Sequence, residues 1–255
     1  MDLTIVGCSG SFAGPESPAS CYLVSAEHAG RTWNIVLDLG SGALGHLQRY
    51  IDPLTIDAVV LSHLHVDHCI DMCGYYVMLK YIPGGSGRDS VPAYGPAGTA
   101  EHLTGAYGNP HMEDVPGVFD FRVIRDRETF EVGPFTITPH LVEHPIEAYG
   151  FRVVAEGRTL AYTGDTDSSD ALTPLMTGAD LVLADSAFVD GRDEIRGIHL
   201  SGSRAAEAAV RAGGVERLML THLPSWNDPE VCRSQAAAVW PGQVEVAKPG
   251  ATYVI

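Results

Sequence analysis

His63-Leu64-His65-Val66-Asp67-His68 sets three imidazoles and a carboxylate within six residues. The run follows the apolar stretch Ala58-Val59-Val60-Leu61-Ser62 without a break. A buried strand that ends in such a cluster delivers metal ligands to a sheet edge. Zinc and similar borderline ions take imidazole nitrogen and carboxylate oxygen, and a catalytic site keeps one position open for water. On an extended chain, residues two apart point the same way, so His63 and His65 converge on one ion. The turn into a helix then swings Asp67 and His68 toward a second position. Four ligands overfill one open tetrahedral site. The run therefore predicts two ions about 3.5–4 Å apart, sharing a bridging carboxylate and further histidines from elsewhere.

Other strand ends offer those partners. Thr138-Pro139-His140-Leu141-Val142-Glu143-His144 supplies His140 or His144. Leu160-Ala161-Tyr162-Thr163-Gly164-Asp165 is an apolar strand ending at Asp165, and Arg217-Leu218-Met219-Leu220-Thr221-His222 is another ending at His222. A lone strand-end Asp is commonly a cap or turn residue. The specificity here comes from the set.

Composition limits the partners. The chain has 255 residues with 45% hydrophobic and 19% charged content, enough to build a sizeable core. Net charge is −16, from 16 Lys+Arg against 32 Asp+Glu. No basic run exists to grip phosphates, so neither long nucleic acid nor an anionic membrane surface is expected as a partner. A small anionic substrate stays open, because bound cations invert the local potential. The five cysteines, Cys8, Cys21, Cys69, Cys73 and Cys232, form no zinc-type CxxC pair and read as buried free thiols. Met1 leads straight into strand-like sequence, with no leader pattern and no apolar stretch of 18 residues, so a cytoplasmic protein is expected.

The rest of the chain reads as β-rich halves punctuated by helices. Strands are predicted at 3–6, 21–25, 33–39 and 58–62, followed by a single helix from Asp67 to Lys80. Residues 83–117 carry eight Gly and five Pro and predict a loop segment around a short strand at 91–94 and a short helix at 98–107. This segment is a candidate lid or substrate wall, with His102 and His111 as candidate pocket residues. Strands follow at 119–124, 129–132, 135–142, 150–155 and 159–163, then a helix at 169–177 and a strand at 181–184. An Ala-rich helix covers 203–212, stopped by Gly213-Gly214. A strand at 217–221, a helix at 229–240 and one or two strands over 244–255 complete the pattern. No linker divides it, so residues 1–255 read as one domain of two similar halves.

The ordered set His63-x-His65-x-Asp67-His68, His144, Asp165, His222 resembles the metallo-β-lactamase superfamily over essentially the whole chain. The resemblance implies an α/β four-layer αββα sandwich with two divalent metal ions at one edge: zinc first, manganese or iron on the same donors. It places His63, His65 and His144 on one ion and Asp67, His68 and His222 on the other, with Asp165 bridging. His144 is preferred to His140 because Pro145 and Tyr149-Gly150-Phe151-Arg152 resemble the segment after the family's third ligand. Ile198-His199-Leu200-Ser201 is similar to the His-Ser/Thr motif of the RNase Z and phosphodiesterase branch. Leu181–Phe188 is similar to that branch's acidic motif, with Asp185 where Glu is usual. An imidazole held by a carboxylate has a fixed tautomer and a raised pKa, suited to protonating a leaving alkoxide.

Val6-Gly7-Cys8-Ser9-Gly10-Ser11, Gly40–Gly45 and Thr221–Trp226 resemble, more narrowly, actinobacterial cyclic nucleotide phosphodiesterases. The implied enzyme is a phosphodiesterase that cleaves cyclic AMP to 5′-AMP by metal-activated hydroxide. Asp67 would help orient the hydroxide, and His199, held by Asp185, would serve as general acid. The alternatives are a tRNA 3′-processing endoribonuclease, a lactone, thioester or sulfate-ester hydrolase, and a non-enzymatic metal sensor. Only 20 residues separate His144 from Asp165, too few for the long tRNA-gripping arm that many RNase Z enzymes carry there. A homodimer is implied by resemblance alone. Gly40-x-Gly42-x-x-Gly45 matches a dinucleotide fingerprint, but a tight turn into a helix explains the same glycines.

Overall fold

A computed structural model describes residues 1–108 and 115–255 of the chain. Its first half runs β1 (Asp2–Gly7), β2 (Cys21–His28), β3 (Arg31–Leu37), α1 (Ala43–Leu47), β4 (Ala58–Val60), α2 (Val66–Cys69), α3 (Met72–Tyr81), β5 (Val91–Gly95), α4 (Thr99–Ala106), α5 (Val115–Val118) and β6 (Phe119–Val123). The second runs β7 (Phe130–Val132), β8 (Phe135–Leu141), β9 (Tyr149–Ala155), β10 (Arg158–Tyr162), α6 (Leu172–Met176), β11 (Leu181–Asp185), α7 (Gly202–Ala212), β12 (Arg217–Thr221), α8 (Pro229–Ala237), β13 (Val244–Val246) and β14 (Thr252–Val254).

Two seven-stranded sheets result, ordered β14-β1-β2-β3-β4-β5-β6 and β13-β12-β11-β10-β9-β8-β7. Each starts as an antiparallel meander and continues as parallel strands: β3 to β6 in one sheet, β10 to β13 in the other. The last strand crosses back to pair with β1 in the first sheet.

Alternation along the strands explains why the sheets stack. Tyr22, Val24, Ile35, Leu37, Ala58 and Val60 of the first sheet share one apolar layer with Phe151, Val153, Leu160, Tyr162, Leu181 and Leu183 of the second. The intervening residues point outward. Leu23, Val36 and Val59 pack with Leu47, Met72, Tyr75 and Leu103 from the flanking helices. Ala161, Val182 and Leu218 pack with Leu175, Ala205, Ala209 and Ala236. Strands apolar on both faces are therefore sandwiched by helices, giving the expected αββα order. All five cysteines are free, and all but Cys73 are buried. No helix among the described residues is long and apolar enough to cross a membrane.

One expectation needs correction. The single helix predicted from Asp67 to Lys80 is two helices, broken at Ile70-Asp71. In a continuous helix the His68 carbonyl would accept from Met72; here it accepts from the Leu39 N–H at 2.7 Å, and the Asp71 N–H donates back to the Leu39 carbonyl at 3.1 Å. This tertiary pairing replaces the helical ladder and aims the metal-type residues inward. Residues 83–117 hold the expected short strand, Val91–Gly95, interior between β4 and β6, and the expected short helix, Thr99–Ala106. His102 is exposed on α4 and joins no ligand cluster. His111 lies outside the described residues, as do 109–114 of the candidate lid.

The glycines after β3 do structural work. A Cβ on Gly40 would sit 1.9 Å from the Asp67 carbonyl oxygen, whereas one on Gly45, inside α1, meets nothing within 4 Å. Gly42 enters the helix at φ 79°. Gly40→Ala is expected to destabilise the fold by about 1–3 kcal/mol through overpacking against the Asp67 backbone. Gly45→Ala is expected to be neutral or to stabilise by up to about 1 kcal/mol through helix propensity. Urea unfolding of the two variants checks the contrast.

Candidate metal centre

The parallel strands of both sheets end at one edge of the sandwich, and the metal-type residues lie just beyond those ends. His63 follows β4, Asp165 follows β10, Asp185 closes β11 and His222 follows β12. Asp38 (φ 59°) and His222 (φ 58°) adopt left-handed backbone, rare for residues with a Cβ, and Gly164 (φ 57°) does so beside Asp165. Such turns cost on the order of 1–3 kcal/mol each and cluster where a site over-determines them. They let the chain reverse at a strand end while its side chain stays aimed inward.

Three ligand clusters form among the described residues. In the first, His65 Nδ1 lies 3.1 Å from both His63 Nε2 and His144 Nε2. In the second, Asp67, His68, Asp165 and His222 are all buried and converge. Asp165 Oδ2 stands between the two sets: 3.6 Å from His63 Nε2, 3.2 Å from His68 Nε2 and 3.1 Å from His222 Nε2. The third joins Asp165 to Asp185 and His199. His140 is buried on β8 and belongs to none of these groups, which separates it from His144.

The surrounding hydrogen bonds set which nitrogen each imidazole presents. Ser62 Oγ donates to Asp38 Oδ2 at 2.8 Å and is left to accept from His63 Nδ1 at 2.9 Å. His68 Nδ1 donates to Asp38 Oδ2 at 2.7 Å. His144 Nδ1 donates to the Ile198 carbonyl at 2.8 Å. His222 Nδ1 pairs with Ser20 Oγ at 3.1 Å. For His63, His68, His144 and His222 the outer partner takes the Nδ1 side and turns Nε2 toward the cluster, the arrangement that metal-ligating histidines show. His68 Nε2, His222 Nε2 and Asp165 Oδ1 are buried with no hydrogen-bond partner. Leaving three such atoms unsatisfied is costly in a native interior. Imidazole nitrogen and carboxylate oxygen are the donors that divalent ions of the zinc type take, so the residues present fit a dimetal site.

Electrostatics follow the same lines. Burial and neighbouring imidazoles hold His63 and His65 below their usual value, and burial does so for His144 and His222, which keeps those four neutral. Burial opposes charge on His68, but the carboxylates of Asp165 and Asp38 outweigh it and raise that group. Asp67 would be raised by burial, yet the neighbouring His68, 3.5 Å away, and His222 hold its carboxyl at about 2. His199 is lowered by burial and raised more strongly by Asp185, whose Oδ2 lies 2.9 Å from its Nδ1; the balance pushes it up to about 9. The ring is therefore a cation at neutral pH. Its Nδ1 is 3.9 Å from Asp165 Oδ2, which sets this charged donor beside the ligand cluster.

Asp38 is a supporting residue that sequence reading missed. It is fully buried and accepts from Ser62 N (2.7 Å), Ser62 Oγ, His68 Nδ1 and Tyr162 Oη (2.6 Å). The available signal was a carboxylate closing an apolar strand.

Comparison with known proteins identifies the family and the fold. Residues 33–223 match the family described as the beta-lactamase superfamily domain. An uncharacterized protein of Mycobacterium leprae is 42% identical over 99% of this chain and 88% of its own length. The probable metallo-hydrolase YhfI of Bacillus subtilis is 30% identical over 98% of both chains. The crystal structure of YhfI superposes with a TM-score of 0.86 at 27% identity, covering 99% of each chain. Ribonuclease Z of Myxococcus xanthus is 26% identical over 86% of this chain and 87% of its own. With its αββα sandwich and strand-end His/Asp clusters, the chain belongs to the metallo-β-lactamase superfamily, as a metallo-hydrolase related to YhfI and to Ribonuclease Z.

Proposed function

We propose that the chain is a dimetal phosphodiesterase that opens a small cyclic nucleotide, with cyclic AMP to 5′-AMP as the specific reaction. The observation that carries this reading is the His199–Asp185 pair beside the ligand clusters. A leaving ribose 3′ oxygen is a poor leaving group and needs a proton. His199 is a buried imidazole kept protonated by Asp185 and set next to Asp165.

In this reading His63, His65 and His144 hold one divalent ion and Asp67, His68 and His222 the other, with Asp165 shared. Zinc is the first choice, and manganese or iron suits the same donors. Bound there, two such ions would lower the pKa of water and screen charge on the phosphoryl oxygens. The chain's own residues do the rest. Water that has lost a proton to solvent attacks as hydroxide, and Asp67, ionised at neutral pH, accepts a hydrogen bond from it and orients it toward phosphorus. The P–O3′ bond breaks as the new P–O bond forms, and His199 gives its proton to O3′. Asp185 keeps the imidazole in one tautomer throughout.

Two features favour a small substrate. The chain is strongly acidic. Between His144 and Asp165, β9 and β10 join through a tight turn at Glu156 (φ 54°) and Gly157 (φ 72°), where a nucleic-acid-gripping arm would otherwise be inserted. The second reading, RNA 3′ processing, is favoured by the similarity to Ribonuclease Z. Cleavage of precursor tRNA, with cyclic AMP untouched, would select it.

Elemental analysis of the purified protein is expected to give about two divalent ions per chain, and His222→Ala about one. His199→Ala is expected to keep both ions while losing about 10²–10⁴-fold in kcat on cyclic AMP. Its loss on bis-p-nitrophenyl phosphate should be much smaller, because p-nitrophenolate leaves without a proton. A metal-loaded protein that turns over no phosphodiester, or a variant as fast as its parent, would defeat the mechanism. Asp38→Asn is expected to weaken retention of the ion on His68 by about 10–100-fold, read by chelator competition.

A further inference from the structure

One buried carboxylate takes no part in the chemistry described so far, yet touches the supports of both the ligands and the proton donor. Asp167 lies two residues beyond Asp165 and is 2% exposed. Its Oδ2 accepts from the Gly197 N–H and from Arg196 Nε, each at 2.7 Å. Its Oδ1 accepts from Arg204 Nη1 and from the Ser168 N–H, also at 2.7 Å. Its own N–H donates to the Glu143 carbonyl at 2.8 Å.

These partners sit where position matters. Glu143 immediately precedes His144. Gly197 precedes Ile198, whose carbonyl fixes His144 Nδ1, and His199 comes next. Arg204 lies on α7, the helix that starts just after His199 and is capped by Ser201. Asp167 bonds neither imidazole. It bonds the backbone that carries both. The segment from Ser186 to Leu200 holds no helix or strand, and Gly197 sits in left-handed backbone (φ 80°). Ile195 is exposed, and Arg196 reaches in from the surface. A loop this open needs an internal anchor to hold a ring in register. Charge-assisted bonds from two guanidinium groups and two amides to one buried carboxylate supply it.

We propose that Asp167, clamped by Arg204, is a positioning residue for the proton donor His199. The same clamp fixes the Glu143 and Ile198 backbone on either side of His144. The inference rests on His199 acting as the donor. Asp185 sets the tautomer of the ring, and Asp167 sets where the ring stands. Loss of the clamp would let His199 drift from the leaving oxygen while the ligand cluster stays assembled, because five of its seven residues, His63, His65, Asp67, His68 and His222, lie on other segments.

The test uses the full metal-loaded chain with Asp167→Asn, Arg204→Met and Arg204→Lys, and with His199→Ala as benchmark. Metal content and thermal unfolding by circular dichroism are measured beside kcat on cyclic AMP and on bis-p-nitrophenyl phosphate. Asp167→Asn and Arg204→Met are expected to keep both ions, to lose about tenfold or more on cyclic AMP, and to lose less than about threefold on the p-nitrophenyl ester. Arg204→Lys, which still donates to Asp167, is expected to recover most of the cyclic AMP rate. Equal losses on both substrates, or none on either, would overturn the positioning role. If Asp167→Asn fails to fold, the Lys and Met variants at 204 decide by the same split. If His199→Ala itself shows no leaving-group dependence, the donor assignment fails and the inference falls with it. A split in His199→Ala without one in the clamp variants overturns the clamp alone.

Discussion

The four hydrogen bonds into Asp38 are the constraint on which the rest of the site depends. A fully buried carboxylate is expensive to desolvate, by several kcal/mol even after relaxation, and is tolerated only when its lone pairs are filled. Asp38 fills them from three segments: both donors of Ser62 beyond β4, His68 at the start of the following helix, and Tyr162 at the end of β10 in the other sheet. One charge thus ties the two sheets together at the edge where the ligands gather. It also orients His68 directly and His63 through Ser62 Oγ. Breaking a single partner would leave part of a buried charge unmet, so the arrangement is stable only as a whole.

That constraint explains why the ligands come from strand ends rather than strand interiors. Interior positions of β3, β4, β10 and β11 are committed to three apolar layers, with inner and outer faces both filled. Polar side chains can converge only where the strands stop. Parallel strands stop at the same edge, so two sheets with parallel ends facing one another offer a single place for a polar cluster. Left-handed turns at Asp38 and His222 then reverse the chain within one residue. The backbone strain there is offset by the packing beneath it, and the side chains stay where the sandwich needs a satisfied polar lid.

Much of this was legible in the sequence because it is local. The run from His63 to His68 after an apolar strand encodes ligand chemistry and strand-end position together. Asp165 and His222 repeat that grammar, and the structure brings both to the cluster, with His144 rather than His140. The helix at 67–80 was not legible, because the Leu39–His68 backbone pairing that breaks it joins residues far apart in sequence. Periodicity alone saw Cys69, Met72, Tyr76 and Leu79 on one face and could not see the interruption. Asp38 and Asp167 were missed for a related reason. A supporting carboxylate has no spacing rule of its own; its meaning lies in donors from three or four separate segments.

Charge decides the order of events at this edge for the proposed substrate. Asp67, Asp165 and Asp185 converge there with Asp38 just behind, in a chain of net charge −16. Against them, among the described residues, the centre sets His199 beside the cluster as the proton donor, and that charge is already shared with Asp185. Arg196 and Arg204 are committed to Asp167. A phosphodiester anion approaching the bare carboxylates would meet repulsion at a distance where little water screens it. Two divalent cations would supply four positive charges and reverse the sign of the local field without altering the acidic surface beyond a Debye length. On this argument, metal loading is a condition for substrate to enter as well as for chemistry. The same acidic exterior that turns away long polyanions is then compatible with a short one reaching the centre.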